Sequence, residues 1–145
     1  MTTLRRIDLL VLALALAGAT ATEAQTPARA AAPAGPLPTQ GSQVWVWETM
    51  PFKPSGVGGR REVTNLPTAT MVRFESHITT LLPGRDSHPP HKHAQEEFII
   101  LKEGEIETHI NGVNQRVGPG SLFFFASNDT HNVTNVGTTP ATYLV

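Results

Sequence analysis

From residue 69 to the end, the chain alternates apolar and polar residues in short runs, and every run is cut by a turn signal. This pattern constrains the fold more than any other feature. In Ala69–Leu82, Val72, Phe74, Ser76 and Ile78 alternate with Arg73, Glu75, His77 and Thr79, until Pro83-Gly84 ends the run. Period two over this length predicts a strand, because successive side chains project to opposite faces. Further strands are predicted over Glu97–Lys102, Glu105–Ile110, Asn114–Val117, Leu122–Ala126 and Ala141–Val145. Asn111-Gly112 sits where a two-residue hairpin turn is needed. Val44-Trp45-Val46-Trp47 is β-branched and aromatic and reads as a strand, either an arm docked on the barrel or on a second subunit or an ordinary first strand with half-buried tryptophans. Pro51–Thr68, with three prolines and three glycines, reads as a long loop. No amphipathic helical period of useful length occurs after residue 25. The expected class is therefore all-β, a sandwich or small barrel.

The N-terminus carries a different signal. Arg5-Arg6, an apolar run from Leu9 to Ala17 and a small-residue stretch give the three-part layout of a secretory signal peptide over residues 1–24. Cleavage after Ala24 is favoured over cleavage after Ala21. The apolar run is too short for a stable membrane span, which needs ~20 residues. Asp8 after the arginine pair, and the lack of Ser/Thr before it, favour the general secretory route over the twin-arginine route. Residues 25–43 are rich in Ala, Pro and Gly and read as a linker. The domain is expected over 44–145, and the protein is expected in the periplasm or outside the cell.

A net charge of -1 and scattered basic residues give no footprint for nucleic acid. The chain has no cysteine, so any metal site must use histidine and carboxylate. His88-Pro-Pro-His91-Lys-His93-Ala-Gln-Glu-Glu97-Phe concentrates three of the six histidines. His91 and His93 are two apart and share one face of an extended segment. Glu97 keeps the same parity, whereas Glu96 faces away. Imidazole and carboxylate together suit Mn, Fe, Ni, Zn or Cu. His88 matches no ligand position, His77 lies on the polar face of its strand, and His109 alternates with Glu105 and Glu107 on a solvated face.

Written out, the chain reads PG-x(6)-HxH-x(3)-E-x(6)-G from Pro83 to Gly104, then G-x(6)-PG-x(10)-H-x(3)-N from Gly112 to Asn135. Two such blocks, in this order, resemble the two signature motifs of the cupin superfamily, here over 84–104 and 112–135. Two turn spacings are each one residue longer than the commonest pattern, in places where loops tolerate insertion. The resemblance implies a double-stranded β-helix, a small jelly-roll barrel. It implies one divalent transition metal held by His91, His93, Glu97 and His131, with open positions for a small-molecule ligand. It further implies a homodimer paired through barrel strands. Cupins that this chain resembles include dioxygenases, isomerases and decarboxylases. A non-catalytic module binding a sugar or a carboxylate is the alternative. No acid/base pair beyond the ligands stands out in the sequence.

Overall fold

The computed structural model of the protein describes residues 36–145. The signal-peptide reading and most of the linker reading lie outside them. Nine strands follow in chain order: β1 (Lys53–Ser55), β2 (Gly58–Leu66), β3 (Phe74–Leu81), β4 (Glu97–Glu103), β5 (Ile106–Ile110), β6 (Val113–Val117), β7 (Leu122–Phe125), β8 (His131–Asn135) and β9 (Ala141–Leu144). They form a six-stranded sheet in the order β1-β2-β3-β9-β4-β7 and a three-stranded sheet in the order β6-β5-β8. Every pairing is antiparallel. The two sheets close on each other as a jelly roll. Leu81, Ile99, Leu101, Ile106, Phe125, Val133, Ala141 and Tyr143 form the core between them. Among the described residues no helix is long and apolar enough to cross a membrane.

The predicted turn between β5 and β6 is present. Asn111 has φ 48° and Gly112 φ 88°, the doubly positive backbone of a hairpin turn whose twist matches its strands. Gly104, which ends the first motif, has φ +85°, and a methyl there would stand 2.6 Å from Ala141 Cβ. A Cβ at this position meets both backbone strain and its neighbour.

Two expectations are corrected. Val44–Trp47 is not a strand: Trp47–Thr49 is a single 3₁₀ turn, and Val44 and Val46 are exposed. The tryptophans instead lie over the outer face of the large sheet, with Arg61 between the Trp47 ring (4.9 Å) and the Phe52 ring (4.8 Å). Cation–π contact holds this arm, so strand pairing is not needed. Pro51–Thr68 is not a loop but contains the β1–β2 hairpin, whose second strand sets Arg60 and Glu62 opposite Thr79 and His77. His131–Asn135, for which the sequence pattern gave no strand signal, is β8. Its His131, Asn132 and Asn135 are buried, so hydrophobic alternation could not mark it.

Faces matter for the site. On β3 the polar set, Glu75, His77 and Thr79, turns into the barrel, while Phe74 and Ile78 face outward. Asn135, the last residue of the second motif, is fully buried. Its Nδ2 donates to the Leu81 and Thr139 carbonyls, both at 2.9 Å, and its Oδ1 accepts from Gly137 N at 2.9 Å. This side chain fixes the exit of β8 against β3.

Candidate metal centre

After β3 the chain runs back along β8 as an irregular fourth strand of the small sheet. Gly84 N donates to the Asn135 carbonyl (2.9 Å), Ser87 N to the Val133 carbonyl (2.9 Å) and His91 N to the His131 carbonyl (3.1 Å). His131 N donates back to the His91 carbonyl (2.9 Å), which makes the two histidines a directly paired bridge. Pro89-Pro90 suits this run, because neither residue has an N–H to leave unpaired. His93 is tied separately, its carbonyl accepting from Asn128 N at 2.8 Å.

The result is a compact imidazole cluster. Ring centroids are 5.1 Å apart for His91–His93, 4.8 Å for His91–His131 and 4.9 Å for His93–His131. One nitrogen from each ring lies within 4.8 Å of the others. Glu97, at the start of β4, stands beside two of the three rings: its Oε1 is 3.5 Å from His93 Nε2 and its Oε2 is 3.5 Å from His131 Nε2. Glu96, just before β4, is exposed.

Hydrogen bonds assign the ring protons. His131 Nδ1 donates to the Asp129 carbonyl (2.8 Å) and His93 Nδ1 to the Gln95 carbonyl (2.9 Å). With Nδ1 protonated in a neutral ring, Nε2 carries the lone pair. In that tautomer both Nε2 lone pairs and the carboxylate converge at 3.5 Å, where one cation could be held by all three groups. His131 Nε2 is buried and has no hydrogen-bond partner, which by itself calls for an explanation. Carbonyl acceptors behind ligating imidazoles are the usual means of fixing tautomer and ring direction. Phe125 lies flat against His131, with centroids 4.3 Å apart and planes at 21°, and holds that ring in place. The residues therefore fit a metal ion.

His91 is exposed at its outer edge, yet its pKa is lowered. Partial desolvation is the first cause, followed by repulsion from His88, His131 and His93. Each effect favours the neutral ring that can ligate. His88, which matches no motif position, is not remote: its ring is 3.9 Å from that of His91, edge to face.

Behind Glu97 the barrel encloses a half-open cavity of about 250 Å³. Val57, Leu81, Ile99 and Phe125 form its apolar side. Arg60, His77, Ser87, His88, Glu97 and Tyr143 form its polar side. Burial pushes the Tyr143 phenol up to about 12, so it stays protonated. On the rim, Glu75 Oε1 takes Arg60 Nη2 at 2.6 Å and His77 Nδ1 at 2.9 Å. The sequence held one usable sign of this ionic group, the polar parity of β3. The direction of that face was not legible.

The cupin domain family Cupin_2 matches residues 77–145. Proteins called L-ectoine synthase are similar over a short stretch. The one from Bordetella parapertussis is 36% identical over 59 residues, 40% of this chain, and the chain spans 45% of that relative's length. The one from Vibrio campbellii is likewise 36% identical over 59 residues, 40% of this chain and 45% of its own length. Among solved structures, an RmlC-like cupin from Shewanella frigidimarina superposes with a TM-score of 0.58 at 17% identity, covering 73% of this chain and 89% of that one. The polyketide cyclase RemF from Streptomyces resistomycificus gives a TM-score of 0.59 at 20% identity, covering 71% and 76%. These likenesses support a member of the cupin superfamily, and the fold is the cupin jelly roll.

Proposed function

We propose that this chain is an exported, metal-dependent cupin enzyme acting on a small molecule. One observation carries the reading: the Nε2 atoms of His93 and His131 converge on the Glu97 carboxylate at 3.5 Å, and the buried His131 Nε2 has no hydrogen-bond partner. With His91 added, the four residues would hold one divalent transition ion, of Mn, Fe, Zn, Ni or Cu type. When bound, such an ion supplies Lewis acidity or activates a ligand in its open positions. The protein's own part is to fix the tautomers through Asp129 and Gln95, to seat His131 on Phe125, and to offer a cavity of one-small-molecule size behind Glu97.

Export rests on the signal-like residues 1–24. A homodimer is supported by the outer face of the large sheet, where Phe98, Leu122 and Phe124 are 55%, 60% and 50% exposed. A non-catalytic module binding a sugar or carboxylate is the second reading, favoured by the mixed polar and apolar cavity walls. A substrate screen of the metal-loaded protein separates the two. An enzyme loses turnover in His91→Ala while its fold is kept. A binding module shows saturable affinity and no product with any compound.

A further inference from the structure

Three side chains outside the ligand set form a short ionic chain in the barrel wall. Glu75 Oε1 accepts from Arg60 Nη2 at 2.6 Å and from His77 Nδ1 at 2.9 Å. Arg60 is braced in turn by Glu62, with Nε 2.9 Å from Oε1. A carboxylate can only accept, so His77 carries its proton on Nδ1 and its lone pair on Nε2. The His77 side chain is 12% exposed. It lines the same cavity as Glu97, Ser87 and Tyr143. No hydrogen bond to its Nε2 is formed among the described residues. A carboxylate fixing the inner nitrogen of a histidine, with the outer nitrogen free in a cavity, is the arrangement of an oriented general base.

We infer that His77, oriented by Glu75, is a catalytic proton acceptor in this cavity, and that its substrate class is a small carbonyl compound with an acidic C–H. The inference deepens the metal-dependent reading and rests on it, because the carbonyl oxygen would face the Glu97 end. In the step, the proton on the carbon next to the carbonyl passes to His77 Nε2. The C–H electron pair stays on the substrate as an enolate. Return of the proton from His77 Nε2 to the same carbon regenerates the carbonyl compound and neutral His77, so nothing is oxidised or reduced and exchange with solvent can occur in between. Glu75 is a positioning residue. The charged and titratable groups around His77 are Arg60, Glu62 and Glu75, with His88, Glu97 and Tyr143 lining the same cavity. Burial and the Arg60 charge lower the His77 pKa against the opposing pull of Glu75, which leaves the ring neutral at pH 7.

Two readouts test this on the full chain. In protein labelled with ¹⁵N-histidine, His77 should appear as the Nδ1-protonated tautomer, and Glu75→Gln should abolish that preference. In D2O, pyruvate or dihydroxyacetone with metal-loaded protein should lose C–H signal by ¹H NMR. His77→Gln should slow this exchange by about 100-fold or more at unchanged metal content. Glu75→Gln should lower the rate and shift its pH midpoint with little change in KM. The inference is overturned if neither probe exchanges with metal-loaded protein, if His77→Gln exchanges as fast as wild type, or if Nε2 is the protonated nitrogen. Should the purified chain hold no metal, the metal-dependent reading fails by itself, and the tautomer measurement still decides the dyad.

Discussion

Replacing Asn135 with alanine removes one fully buried side chain that makes three hydrogen bonds. The bonds to the Thr139 carbonyl and from Gly137 N lie near the surface, where water can replace them. Each is worth about 1 kcal/mol. The bond to the Leu81 carbonyl is buried, and an acceptor orphaned there costs about 1–3 kcal/mol. Together the loss is roughly 3–5 kcal/mol, a large share of the ~5–15 kcal/mol that holds a domain folded. For a domain of this size that corresponds to a Tm lower by about 13–22 °C. Differential scanning calorimetry with chelator present, so that metal binding does not mask the change, reads it directly. Asn114→Ala, an exposed asparagine bonded to Glu107 at 3.0 Å, is the control and should move Tm by no more than ~2 °C. A drop under about 5 °C in Asn135→Ala would refute the reasoning.

Three further expectations follow from single features. Gly104→Ala should destabilise by about 2 kcal/mol or more, read as a shifted urea midpoint, because φ is +85° and the new methyl meets Ala141 Cβ at 2.6 Å and the Pro140 carbonyl at 2.8 Å. Stability of the metal-free protein should fall as pH drops below 6.5, the ordinary histidine value, since the folded His77 pKa is lowered and the unfolded chain binds the proton first. His77→Gln should flatten that slope in a Tm-against-pH series, leaving a residue from His91, whose pKa shifts the same way. Phe98→Lys/Phe124→Lys, a directly opposed pair on the outer sheet face, should convert a dimer to a monomer in light scattering, while unchanged mass would place the interface elsewhere.

Much of the architecture was legible because the usual code held there. In β5 Ile106 and Thr108 are buried at alternate positions, the apolar runs of β4 and β7 bury Ile99, Leu101 and Phe125, and Asn111-Gly112 supplies the positive φ values that its hairpin needs. The code failed where the barrel interior is polar. In β2 the face toward His77 and Thr79 carries the half-exposed ion pair Arg60–Glu62, and in β8 buried His131, Asn132 and Asn135 replace the expected aliphatics. Hydrophobic periodicity cannot report burial bought with hydrogen bonds and ion pairs. The arm at Trp47 misled for a related reason, since aromatic and β-branched residues stabilise contact with a sheet face as well as membership of a sheet. At the site, spacing pointed to His91, His93 and Glu97, and a second motif pointed to His131. His88 and the Glu75–His77 pair depend on how loops and faces turn, which local spacing does not encode.

The central claim is tested most directly by the metal content of the purified protein, measured by inductively coupled plasma mass spectrometry after expression through its own export route. The account predicts about one transition-metal ion per chain in wild type and loss of nearly all of it in His91→Ala/His131→Ala. Equal metal in wild type and the double variant would contradict it.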